Sequence, residues 1–388
     1  MGSSFGPLAF DDPVPFCSFP PSLPDESLLR ANHHISCPTN LRTYSEMLKI
    51  GYVPEHFSSP LLQLAASEWG KENIKLVSQP SGTGQMLTSF QPEQEGGRKI
   101  DVAVALTEAL ITGIAKGRKD YTLVGSYVRS SLNWAVITGT DSKADKYKTI
   151  SDLRGSPIGI SRIGSGSQIM ASVMAMQQGW IDAQGRPEHI EFKVNDTFAN
   201  LRDGVNQKTP EQASGAFMWE WFTTWPFVKT GEVRFIGAVP TPWPSWTIAA
   251  STDVASSPEL KTFLAKLQEY MTAFATPERV ANGSAAAYIQ DHFSYDKEDV
   301  ETWLDSVRWA GDTRPNHSGE RSQAAGSKAG DWVAPAAPTV GQDTSSSTLS
   351  KDTLRLVLDM LEKAGVLTAP SDGWNPASFV SAESVLVK

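Results

Sequence analysis

Cysteine is nearly absent from this 388-residue chain, with only Cys17 and Cys37 present, both in an irregular opening stretch. Two such residues cannot build a cysteine metal site; one bridge or two free thiols are open to them. Positive charge is also short. Lys and Arg number 34 against 43 Asp and Glu, a formal net charge of −9, and no dense basic stripe occurs. That argues against a nucleic-acid partner. No apolar run is long enough to cross a bilayer, so no integral membrane segment is expected. The histidines, at positions 33, 34, 56, 189, 292 and 317, show no HExxH, HxH or Cys/His spacing, and no metal or cofactor is expected. There is no GxSxG elbow and no P-loop, and the serines of RIGSGSQ lack an evident base, so no catalytic set is expected. The first residues lack a basic region and are broken by Asp11, Asp12 and several prolines. No export signal is recognisable in them, and a cytoplasmic location is expected.

What is present suits a folded chain with two cores: 40% hydrophobic and 20% charged residues. Residues 1–44, rich in Pro, Ser and Asp, read as an irregular leader. From there a βαβ rhythm begins. Met47–Val53, Ile74–Ser78, Asp101–Leu106, Tyr121–Tyr127 and Asn133–Thr138 read as strands, with helices over Ser59–Trp69 and from Thr107 through Ile114. A second unit follows, with strands at Ile158–Ser161, Ile190–Val194, Ser214–Trp219 and Val233–Ala238 and helices at Ser167–Gln178 and Phe222–Lys229. Trp246–Ser251 reads as a strand returning to the first unit. Ser257 caps a helix with Pro258 at its first position, and Glu298–Trp309 reads as another helix. Asp312–Ser347 is dominated by Gly, Pro, Ser, Ala and Thr and holds no Leu, Ile or Phe, as in a flexible insertion. Ser350–Ala364 is an amphipathic helix ended by Gly365. The rhythm predicts α/β units with largely parallel sheets.

The most informative segment is Gly155–Ile169, GSPIGISRIGSGSQI. A short strand runs into a Gly/Ser turn and then a helix. That order gathers acceptor-free amides and a helix N-terminus at one point, a seat for an anion or a polar ring edge.

Several strings together resemble a known superfamily. Lys49–Leu76, Pro80–Leu87, Asp101–Gly117 and Ile150–Met170, with Trp303–Ala310 and Leu354–Leu367, are similar in type and order to the type II periplasmic-binding-protein superfamily. Within it, the likeness is to the branch holding NMT1/THI5-like proteins and the sulfonate and taurine binders. The resemblance implies a bilobal α/β fold with an interlobe cleft. Lobe 1 would span 45–133 plus 245–310 and lobe 2 134–244, with 311–347 an insertion and 348–388 a helix and tail docking on a lobe. The insertion and the missing signal point to a fungal relative. The resemblance implies a small-molecule ligand, held without catalysis. A transporter partner is left open, and a monomer is expected ahead of a homodimer. Two alternatives are a thiamine-pyrimidine biosynthesis enzyme and a structural or partner-binding protein.

Ligands in open α/β folds sit beyond the carboxyl ends of strands. Reading those positions gives the candidate contacts. Tyr52 and His56 follow the first strand, Thr83 and Gly84 the second, and Thr107 and Glu108 the third. Tyr127 ends another. Arg162, Ser165, Gly166 and Ser167 form the anion seat, Asn195 ends a strand, and Trp219 and Glu220 offer an aromatic face and an acid.

Overall fold

The computed structural model describes residues 47–92, 97–314, 349–382 and 386–387. The leader, both cysteines, His33, His34 and residues 315–348 of the expected insertion lie outside the described residues. Two five-stranded sheets organise the rest. The first has the order β2-β1-β3-β10-β4, from β1 (Leu48–Tyr52), β2 (Ile74–Ser78), β3 (Val102–Leu106), β4 (Tyr121–Val128) and β10 (Trp246–Ser251). The second has the order β7-β6-β8-β5-β9, from β5 (Asn133–Gly139), β6 (Ile158–Ile160), β7 (Phe192–Val194), β8 (Ala216–Glu220) and β9 (Val233–Pro240). The architecture is α/β and bilobal, one sheet to each lobe.

The sheets are mixed rather than largely parallel. β2, β1 and β3 run parallel, as do β7, β6 and β8, while β10 is antiparallel to β3 and β4, and β5 is antiparallel to β8 and β9. The cause is the crossing. The chain leaves the first sheet after Val128, enters the second at Asn133, and returns between Pro240 and Trp246. In each sheet one strand therefore leaves and the other enters at the same end, Val128 opposite Trp246 and Pro240 opposite Asn133, which makes β4 and β10, and β5 and β9, antiparallel. The strands beside the crossings are therefore buried throughout: β5 and β10 have no exposed residue. Thr241 ties the two crossings together, its N–H donating to Leu132 O at 2.9 Å and its hydroxyl oxygen accepting from Leu132 N at 2.9 Å.

Helix starts follow local chemistry. Ser165, Thr197, Ser257, Thr276 and Ser350 each accept a backbone N–H at a helix N-terminus. The helix Lys351–Lys363 buries Leu354, Val357, Leu358 and Leu361. It packs against Thr107–Ala115 of the first sheet and Gly166–Gln177 of the second. Beyond it, Ser381 N donates to Leu123 O at 3.1 Å, lengthening the edge of the first sheet. The first residues of the expected insertion are described. Asp312 and Arg314 are buried and paired in a bidentate contact, and Arg314 also donates to Leu304 O and Val307 O.

Candidate functional site

The carboxyl ends of β1, β2, β3, β6 and β8 face one cleft, which holds about 680 Å³ of empty space, part of it open to solvent. Water-sized molecules can centre themselves in about 90 Å³ of it, several times what one water needs. This suits a compact organic molecule. Trp134, Trp219, Trp246, Leu106, Ala109, Leu132 and Val53 supply the apolar lining.

Of the residues singled out in the sequence, the structure brings eight to this cleft: Thr83, Gly84, Arg162, Ser165, Gly166, Ser167, Trp219 and Glu220. β6 ends at Ile160 and the helix Gly166–Gln177 starts beside the cavity. Ser165 caps it by accepting from Gln168 N, and the Ser165 and Ser167 hydroxyls bond each other at 2.9 Å. The amides of Gly166 and Ser167 have no acceptor among the described residues, as first-turn amides do not. Gly166 is required by close approach. A Cβ there would stand 3.0 Å from the Trp134 ring and 3.1 Å from Leu106 of the other sheet.

Arg162 reaches across the cleft. Its guanidinium donates to Ser81 O at 2.7 Å and lies over Gly84, where an added Cβ would come within 2.0 Å of Nε. Among the described residues, no carboxylate lies within 4.0 Å of it. Burial pulls its pKa down from the usual arginine value. It therefore enters the cleft as a half-buried cation without a counter-ion.

Glu220 ends β8 and caps the helix Trp221–Lys229. Its Oε2 accepts from Thr223 N at 2.7 Å and Thr223 Oγ1 at 3.0 Å. Burial raises its pKa to about 7. Glu55 joins it from the loop after β1. It keeps part of its surface toward the cleft yet lies deep among protein atoms, and that burial, then the Glu220 charge, pushes its pKa to about 8.

Six expected contacts do not line the cleft. His56 is fully buried among Phe57, Phe222, Tyr295 and Trp303, its Nε2 3.7 Å from Glu220 Oε2. Burial drives its pKa well below the usual value, so it holds no charge for an anion. Tyr127 is buried and donates to Phe57 O at 2.8 Å. Thr107 shares a 2.7 Å hydroxyl contact with Thr247. Glu108 accepts from Trp243 Nε1 at 2.9 Å, and burial raises its pKa to about 7. Asn195 pins the loop after β7 by donating to Asn200 O and Gln212 O, both at 3.1 Å. Tyr52 is half-buried at the end of β1, paired with Ser78. Tyr127, Thr107, Glu108 and Asn195 are thus claimed by partners elsewhere in the chain, while His56 is sealed among aromatic rings with both ring nitrogens unpartnered.

Sequence reasoning missed Glu55, Trp134 and Trp246. Glu55 is the one with a signal, since it sits at a strand's carboxyl end beside residues that were chosen. Among the described residues, no group of His, Cys, Asp and Glu could hold a metal ion, and no helix is long and apolar enough to cross a membrane.

Comparison with known proteins agrees with this geometry. The sequence model of the family described as Ca3427-like PBP matches residues 134–239. The conserved CA3427 gene product of Candida albicans, which defines a family with the generic periplasmic binding protein fold, is 32% identical. That match covers 84% of this chain and 92% of the other, with a TM-score of 0.66. The alkanesulfonate-binding protein SsuA of Xanthomonas axonopodis pv. citri, bound to MOPS, is 14% identical over 88% of this chain and 98% of its own, TM-score 0.58. The periplasmic nitrate-binding protein NrtA of Synechocystis PCC 6803 is 15% identical over 84% and 83%, TM-score 0.58. No curated protein matches. These comparisons correct one expectation: the fold is that of periplasmic binding proteins, and two matched proteins are named as periplasmic, which stands against the cytoplasmic location. An opening stretch that lacks a basic region was too weak a ground for it.

Proposed function

The chain belongs to the Ca3427-like family of proteins with the periplasmic-binding-protein fold, and from that premise we propose that it binds a compact organic anion in the cleft between its sheets without transforming it. The observation that carries this is Arg162. A guanidinium held in a cleft without a counter-ion, beside two acceptor-free amides at a helix N-terminus, gains most from a carboxylate, sulfonate or phosphate. Trp219, Trp134 and Trp246 suit a planar or apolar body. The proteins of this fold named for alkanesulfonate and nitrate binding are in keeping with an anion.

Binding is favoured over catalysis by the bonds already made. The Ser165 and Ser167 hydroxyls bond each other, and no histidine or carboxylate bonds to either. The Glu220 oxygen nearest His56 is fixed as a helix cap. We take the lobes as residues 45–133 with 245–310 and residues 134–244, closing on the ligand. Only contacts made to both walls favour the closed form.

The test is a calorimetric screen of small carboxylates, sulfonates and phosphates against wild type, Gly166→Trp and Trp219→Ala, each confirmed folded. Wild type should bind one class. Gly166→Trp should abolish binding by filling the anion seat, and Trp219→Ala should weaken ring-bearing compounds more than compact ones. Near-wild-type affinity in both variants would place the site elsewhere.

A further inference from the structure

The Arg162 end accounts for only half of the charge in the cleft. Glu55 and Glu220 line the same space, from the carboxyl ends of β1 and β8. Arg162 and Ser81 stand one strand over, after β6 and β2, which neighbour β8 and β1 in their sheets. The two kinds of charge line the same cleft, yet among the described residues no Lys or Arg comes within 4.0 Å of either carboxylate. The nearest basic group is His56, which is completely buried, has both ring nitrogens without a hydrogen-bond partner, and faces Glu220 Oε2 at 3.7 Å. Tyr295, packed on His56 and Phe222, is held neutral by burial, and Lys229 on the Glu220-capped helix is spent on Asp296 and Asp299. Glu55 makes no side-chain hydrogen bond among the described residues, and Thr223 occupies only one oxygen of Glu220.

Unpaired carboxylates in a desolvated cleft are costly unless a partner arrives. Resting on the anion reading above, we propose that Glu55 and Glu220 form a subsite for a protonated nitrogen, an ammonium or amidinium group, so that the ligand of this cleft is dipolar, its anion at Arg162 and its cation at the acid pair. Such a ligand satisfies both unmatched charges at once, which neither a plain anion nor a plain amine does. Its binding displaces the proton that the pair retains near neutrality, so affinity for a dipolar ligand rises with pH through the range of about 7 to 8 in which the pair ionises.

The experiment uses three probes matched in size: 4-(aminomethyl)benzoate, 4-ethylbenzoate and 4-methylbenzylamine. Each is titrated calorimetrically into wild type, Glu55→Gln, Glu55→Gln/Glu220→Gln and Arg162→Ala, at pH 6.0 and pH 8.5. Gln at 220 keeps an oxygen for the Thr223 cap, and Glu55→Gln breaks no bond, so one variant remains even where the double one fails to fold. At pH 8.5 wild type should bind the dipolar probe at least tenfold more tightly than 4-ethylbenzoate. That advantage should shrink severalfold in Glu55→Gln, vanish in the double variant, and vanish at pH 6.0. Equal binding of the two benzoates by wild type, with both weakened in Arg162→Ala, overturns the cation subsite while leaving the anion reading intact. An advantage that persists at pH 6.0 or in the double variant overturns it as well. Failure of wild type to bind either benzoate overturns both.

Discussion

The two charged ends of the cleft are built in opposite ways. The Arg162 end is local: Ser161 through Ser167 supply its cation, its turn and its amides from one stretch of chain. The Glu55–Glu220 end is assembled from residues 165 positions apart in sequence, brought together only because β1 and β8 end at the same cleft. A local end can be read from a motif and lost by one substitution. A convergent end shows its members singly in sequence, as Glu220 was, but not their pairing, and those members carry an electrostatic cost whenever the ligand is absent.

The largest effect should come from the local end. Arg162→Ala removes charge-assisted hydrogen bonds worth roughly 1.5–3 kcal/mol, about a 10- to 100-fold loss in anion affinity. It also removes the bond to Ser81 that spans the cleft, so small-angle scattering of the ligand-free protein should show a larger radius. An unchanged affinity and profile would erase the contrast between the ends.

The convergent end should show in stability. Burial raises the pKa of Glu55, Glu220 and Glu108 above the carboxylate value of 4.5, to about 8, 7 and 7. Folding therefore takes up protons between pH 4.5 and about 8, and stability falls as pH rises through that window. Glu55→Gln/Glu220→Gln should flatten most of the fall and stabilise the ligand-free protein at pH 9 by roughly 1–3 kcal/mol. Urea denaturation across pH measures it, and a steep fall retained in the double variant would mean that the acids are solvated.

Gly84→Ala sharpens the comparison from the opposite wall. Its methyl group meets only the flexible tip of Arg162, so the melting temperature should hold. Anion affinity should fall about fivefold, the worth of one displaced hydrogen bond. Ser167→Ala is smaller still, about 0.5 kcal/mol or little more than twofold, because the amide donors remain.

What was legible follows the same division. Strand and helix patterning located β1 to β10 within a few residues, because continuous apolar runs and N-cap serines are local signals, while the bilobal fold came from the family resemblance. Strand direction was not legible, since it depends on the chain leaving and re-entering each sheet at the same end. Tyr127, Thr107, Glu108 and Asn195 sit at the expected strand ends, yet Phe57, Thr247, Trp243 and Gln212, from distant parts of the chain, claim their polar groups. A strand end states that a side chain is near the cleft, not that it is unclaimed. Trp134 and Trp246 were read as core strand residues; they are that and also cleft wall, because both begin strands at the crossings.

The central claim is that one small molecule occupies the cleft and is held by Arg162. Native mass spectrometry of wild type and Arg162→Ala, each titrated with the tightest compound of the anion screen, tests it most directly. One bound molecule per wild-type chain, lost from the variant while the chain stays folded, is the predicted result. Equal occupancy of both proteins would show that the molecule sits elsewhere and would contradict the account.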